Sequence, residues 1–60
     1  MWYGKMTPEL EELYDKYYDM FDSVPDEYIE LEYGQDEYDD YVKDIKESIK
    51  QNKELPDVAD

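Results

Sequence analysis

The chain contains no cysteine, no histidine and no arginine, has only two glycines and three prolines, and shows no apolar run longer than three residues. Each absence removes a class of protein. Without cysteine there is no disulfide framework, and with histidine missing as well the usual zinc ligands are gone. The hydroxyls of Thr7, Ser23 and Ser48 have no imidazole to activate them as nucleophiles, and Thr7 and Ser23 stand where helix caps belong. The lack of arginine leaves no bidentate fork for phosphate or carboxylate, since all six bases are lysine. No stretch has the length of a membrane span or the apolar centre of a signal peptide, so the expected compartment is the cytoplasm and no membrane is expected as a partner.

What the chain has in excess is acid. Its 60 residues carry 19 Asp and Glu against six Lys, a net charge of −13. The charge is unevenly placed. Residues 9–40 hold 14 acids and the single base Lys16, for −13, while residues 1–8 carry +1 and residues 41–60 carry −1. Such a surface repels nucleic acid and anionic lipid, so no direct nucleic-acid contact is expected. Length allows one domain, residues 1–60, with a marginal core. Leu, Ile, Val and Phe number only 11, which in a charged chain points towards disorder. The eight tyrosines offset this because each ring buries a large apolar area. The expectation is a folded but weakly stabilised domain, to which a partner or second copy adds stability, with residues 1–6 and 56–60 as flexible ends.

Periodicity predicts an all-α fold of two main amphipathic helices, near 8–22 and 36–52, joined by a short helical or extended segment. In the first, Thr7 caps, Pro8 suits the opening position and Glu9 favours the positive end of the dipole. Leu10, Leu13, Tyr14, Tyr17 and Phe21 then form a helical stripe that stops before Ser23-Val24-Pro25. In the second, the stripe is Tyr38, Tyr41, Val42, Ile45 and Ile49. Between them Ile29, Leu31 and Tyr33 alternate with Glu30 and Glu32 as a strand would. A short helix capped by Ser23, with Pro25 in its first turn and Gly34 past its end, is preferred because a lone strand has no partner to pair with.

This layout is a helix ending in Met20-Phe21-Asp22-Ser23-Val24-Pro25, a short segment with Gly34, and an acidic start at Asp36-Glu37 to a helix running out through Lys53-Glu54-Leu55-Pro56. It resembles small uncharacterised acidic helical proteins of Gram-positive bacteria and their mobile elements, over about residues 7–57. The resemblance implies a helical fold and carries no activity to transfer.

Chemistry at single residues is sparse. Paired carboxylates such as Glu11-Glu12 and Asp39-Asp40 lack the cleft across which a glycosidase sets its acids. Calcium-loop windows opening at Asp22 or Asp36 fail, because Val24, Glu27 and Tyr33 in one and Tyr38 and Tyr41 in the other occupy required positions. No cofactor, no metal and no enzymatic activity are expected. The informative pattern lies on the first helix, where Asp15, Asp19 and Asp22 form a row at i, i+4 and i+7 opposite the apolar stripe. Like charges at this spacing repel by a few tenths of a kcal/mol, and Asp19 and Asp22 also oppose the dipole in the last turn. The second helix does the reverse, with acids at its start and Lys43, Lys46, Lys50 and Lys53 towards its end.

Local rules broken in one place suggest function there, although a solvating face is the plainer explanation. Two readings follow. In one, the chain is an acidic protein-binding module that imitates nucleic acid, an inhibitor of the anti-restriction or anti-CRISPR kind encoded by a phage or mobile element. Its partner is then a basic nucleic-acid-binding protein. The contact is made by Asp15, Asp19, Asp22, Asp26, Glu30, Glu32, Asp36, Asp39 and Asp40, with Tyr18, at the edge of the stripe, as anchor; the same position equally suits Tyr18 as a core residue that widens the stripe. In the other, the chain is a helical interaction or homodimerisation module, and its acids only keep it soluble.

Overall fold

Thr7 opens the first helix as its position predicts. In the computed structural model, which describes residues 1–58, its side chain accepts the Leu10 N–H at 3.2 Å and Pro8 takes the first helical position. Helix α1 spans Pro8–Phe21, α2 Tyr38–Gln51 and α3 Leu55–Val58, with 3-10 turns at Pro25–Glu27 and Gln35–Glu37. The architecture is all-α with two main helices. Both long helices stop at a residue in the left-handed conformation, Asp22 (φ 57°) and Asn52 (φ 56°). These are the side-chain types that tolerate that conformation best after glycine.

The two predicted stripes face each other. Leu10, Leu13 and Tyr17 of α1 and Tyr41, Val42 and Ile45 of α2 are buried, with Tyr14, Phe21, Tyr38 and Ile49 packed at their margins. A core so poor in aliphatic side chains works because its phenol groups are satisfied. The Tyr14 and Tyr41 hydroxyls meet at 2.6 Å, as do those of Tyr17 and Tyr28. Tyr28 donates to Glu54 at 2.9 Å and Tyr33 to Asp44 at 2.7 Å, while Tyr38 meets Thr7 at 2.7 Å and donates to Glu9 at 3.0 Å. Among the described residues no buried side-chain polar atom lacks a partner, which removes the main cost of placing a hydroxyl in a core.

Residues 1–6 are not a flexible end as a whole. Trp2 is in the core, its ring stacked on Tyr41 with centroids 4.9 Å apart and planes at 10°. Its indole N–H donates to the Lys5 carbonyl at 3.0 Å. Gly4 is needed here, because a Cβ at that position would collide with the Trp2 ring. The middle segment is partly helical and partly extended, with Pro25 in the first turn of its helical part as the sequence predicts. Residues 25–27 form a 3-10 turn that starts from Val24, without a cap from Ser23. Tyr33 then makes an isolated parallel bridge with Trp2, closed by Tyr3 N–H to Tyr33 O at 3.0 Å and Tyr33 N–H to Met1 O at 2.9 Å. The extended chain at Tyr33 does have a partner, supplied by residues treated as a loose end.

The other end is corrected in part. Leu55 is fully buried and its N–H donates to the Tyr17 hydroxyl at 2.9 Å, so residues 56–58 continue as an anchored helical turn. Residues 59 and 60, also expected to be flexible, lie outside the described residues. Ser48, one of the hydroxyls weighed as a nucleophile, is buried and donates to the Lys53 carbonyl, tying the end of α2 to the turn into α3.

Candidate partner-binding face

Helix α1 has a core side and an acidic side, and the acidic side carries an open depression of about 620 Å³. Its walls are Met6 from the N-terminal arm, Glu11, Tyr14, Asp15, Tyr18 and Asp19 from α1, and Val24 from the turn beyond. Helical spacing puts Glu11, Tyr14, Asp15, Tyr18 and Asp19 on adjoining rows. The left-handed stop at Asp22 ends α1 ahead of Val24, and the Thr7 cap starts it just after Met6, so the two apolar lining residues flank the helix in sequence.

Of the sequence-predicted residues, Asp15, Tyr18 and Asp19 are brought together in this depression, and all three are exposed, Tyr18 at 52 %. Asp22 is exposed at the end of the same helix. Asp26 belongs elsewhere. It is half-buried, and its Oδ1 accepts the Trp2 backbone N–H at 2.6 Å, so it secures the N-terminal arm and is no free acid. Glu30 and Glu32 are exposed in the connecting segment, Asp36 on the 3-10 turn before α2, and Asp39 and Asp40 in the first turn of α2. Asp39 lines a different depression, of about 460 Å³, with Glu9, Tyr38, Val42, Lys43, Lys46 and Glu47. The acids proposed as one surface are therefore at least two, and only one of them is free of lysine in its lining.

Electrostatic pairing follows the same division. The ion pairs among the described residues are Lys16–Glu12 at 3.9 Å and Lys46–Glu9 at 3.5 Å, both on the lysine-bearing side. Neither involves Glu11, Asp15, Asp19 or Asp22. Around the core, the tyrosine hydroxyls are held in their protonated form. Burial pushes the phenols of Tyr14, Tyr28, Tyr33 and Tyr41 up from their ordinary value. Donation to Glu54 adds to the effect at Tyr28, and donation to Asp44, with the charges of Asp44, Glu37 and Asp40, adds to it at Tyr33. Among the described residues no group of three acidic side chains converges to hold a metal ion, and no helix is long and apolar enough to cross a membrane.

Sequence reasoning missed Met6 and Val24 as surface residues. A signal was present for Met6. An apolar residue just before a helix cap ordinarily packs on an apolar residue at the fourth helical position, which here is Glu11. Without that partner Met6 stays 50 % exposed. Comparison with protein-family models, with characterised proteins and with solved structures finds no match for this chain.

Proposed function

We propose that the protein is an acidic binding module that occupies a basic, nucleic-acid-binding surface of another protein, acting in the cytoplasm as an inhibitor. The observation that carries the reading is the acidic side of α1. Glu11, Asp15 and Asp19 stand exposed around an exposed tyrosine, with no lysine among the residues lining that depression. These carboxylates do nothing evident for the fold, and like charges along the helix work against it. Fixed carboxylates on a short rigid helix offer a basic groove the charge it normally takes from phosphate, and Tyr18 supplies an amphipathic contact of the kind enriched at the centre of interfaces.

The test is competition and salt. With a basic nucleic-acid-binding partner in hand, binding is expected to compete with DNA or RNA. It should also weaken steeply as salt rises, since exposed charges are screened over about 8–10 Å near physiological ionic strength. Asp15→Asn, Asp19→Asn and Asp22→Asn together should lower affinity by more than about tenfold, or 1.4 kcal/mol. Lys43→Gln, Lys46→Gln and Lys50→Gln together should change it much less. A partner that is neutral or acidic, or one bound equally well in high salt and by the triple Asn variant, would overturn the reading. The exposed apolar side chains of Tyr3, Met20 and Ile29 would then be the surface to examine.

A further inference from the structure

A convex row of charge would suffice to imitate a phosphate backbone, yet the acidic side of α1 carries an open, partly apolar depression. Four of its seven lining residues, Met6, Tyr14, Tyr18 and Val24, contribute apolar or aromatic surface, and Glu11, Asp15 and Asp19 supply the charge. A nucleic-acid surrogate needs no such hollow. A receptor for a protruding cationic side chain does.

We infer that this depression seats an arginine-bearing segment of the partner, with a guanidinium stacked on Tyr18 and directed at Glu11, Asp15 and Asp19. The inference rests on the proposed binding function and specifies the chemistry of its centre. Charge complementarity selects a cation, because no base lines the hollow. Arginine is favoured over lysine on three counts. Its plane stacks on an aromatic face, its weak hydration lets it leave water more readily than an ammonium, and its fork engages carboxylates two at a time. The methylene stem of an arginine suits an apolar wall such as Met6 and Val24 provide. A second copy of the chain is not the occupant, since the sequence contains no arginine and a copy would bring a further −13 of charge.

The probe is a pair of synthetic peptides of equal length and charge, identical except that one carries arginine and the other lysine at every basic position. Calorimetry at physiological salt should give the arginine peptide a higher affinity, by up to about fivefold, the full worth of an exposed cation–π contact being the upper bound. Tyr18→Ala should reduce that preference and Tyr18→Phe should keep it. Methyl signals of Met6 and Val24 should shift on titration. Since Tyr18 is exposed, both variants are expected to fold, and the two-peptide comparison on the unaltered protein depends on neither. Equal affinity for the two peptides, a preference that Tyr18→Ala leaves undiminished, or shifts confined to residues 36–40 would overturn the arginine seat. If the peptides bind equally but both lose affinity to the triple Asn variant, the seat falls and the charge-based function stands. If neither loses affinity to that variant, the function on which the seat rests falls as well.

Discussion

The acidic side of α1 and the carboxylates around the core carry the same charge and have different tasks. Asp26 accepts the Trp2 N–H, Asp44 the Tyr33 hydroxyl, Glu54 the Tyr28 hydroxyl, and Glu9 both Tyr38 and Lys46. Each of these acids ends a chain of contacts that begins in the core. Glu11, Asp15, Asp19 and Asp22 are exposed and outside both ion pairs. An acid-rich composition thus hides two populations, one that satisfies a tyrosine core and one that the core does not use. The difference separates charge required for folding from charge left over for a partner.

The largest effect that tests this division is alkaline unfolding. Folding holds Tyr14, Tyr28, Tyr33 and Tyr41 protonated by raising them above the ordinary phenol value of 10.0. A group raised in this way contributes its full stability below its unfolded value and loses it as pH climbs above that value towards the folded one. Helix content by circular dichroism is therefore expected to hold below about pH 10 and to collapse cooperatively above it. Tyr33→Phe, which keeps the ring and removes the proton, should move the midpoint to higher pH. Phenolate absorbance that rises fully while the helix signal persists would show that the tyrosine–carboxylate contacts are not what holds the core.

Next in size is a comparison of two single aspartates. Asp26→Ala leaves the Trp2 N–H without its acceptor and loosens the arm that brings Trp2 onto Tyr41. The expected loss is about 1–3 kcal/mol. In a domain of this size that is a fall in melting temperature of roughly 4–8 °C per kcal/mol. Asp19→Ala, on the acidic side, should leave the melting temperature unchanged or raise it slightly. Equal losses in the two variants, read by thermal denaturation, would merge the two populations into one.

Asp26 also marks where sequence reasoning stopped. The two helices and their facing stripes were legible because helical periodicity repeats over four turns, whereas the place of Tyr18 at the stripe's edge suited an exposed anchor and a core residue equally. Trp2 carries no such signal. A single aromatic near an end has no period, and its burial depends on a bridge to Tyr33 across more than half the chain. With Trp2 unplaced, Asp26 reads as one more surface acid, and the alternation through Ile29, Leu31 and Tyr33 has no partner strand in view. Only Tyr33 of the three is buried, and Ile29 is 73 % exposed. The alternation therefore marked one real bridge residue rather than a strand face. Leu55 was missed for a related reason: it lies past the end of α2 and reaches the core only by turning back to Tyr17.

The smallest expected effect separates the populations by sign. Asp15→Asn, Asp19→Asn and Asp22→Asn together remove the like-charge row while keeping side-chain size, and asparagine tolerates the left-handed stop that Asp22 adopts. Relief of i, i+4 repulsion and of the anion at the negative end of the helix dipole is worth a few tenths of a kcal/mol per site. The variant should therefore melt a few degrees higher than the unaltered protein, a direction opposite to that of Asp26→Ala. Salt supplies an independent measure of the same term. Adding salt shortens the screening length from about 30 Å at 0.01 M to about 8 Å at 0.15 M, so the unaltered protein should gain stability along that series. The triple variant, with less repulsion to screen, should gain less. In the other long helix, Lys43→Gln, Lys46→Gln and Lys50→Gln together should lower stability, because those lysines offset the acids at the start of α2 and favour the negative end of its dipole. A triple Asn variant that melts lower than the unaltered protein would mean that Asp15, Asp19 and Asp22 have partners within the fold. The acidic side of α1 would then belong with Asp26, Asp44 and Glu54 as structure, leaving no surplus charge for a partner to read.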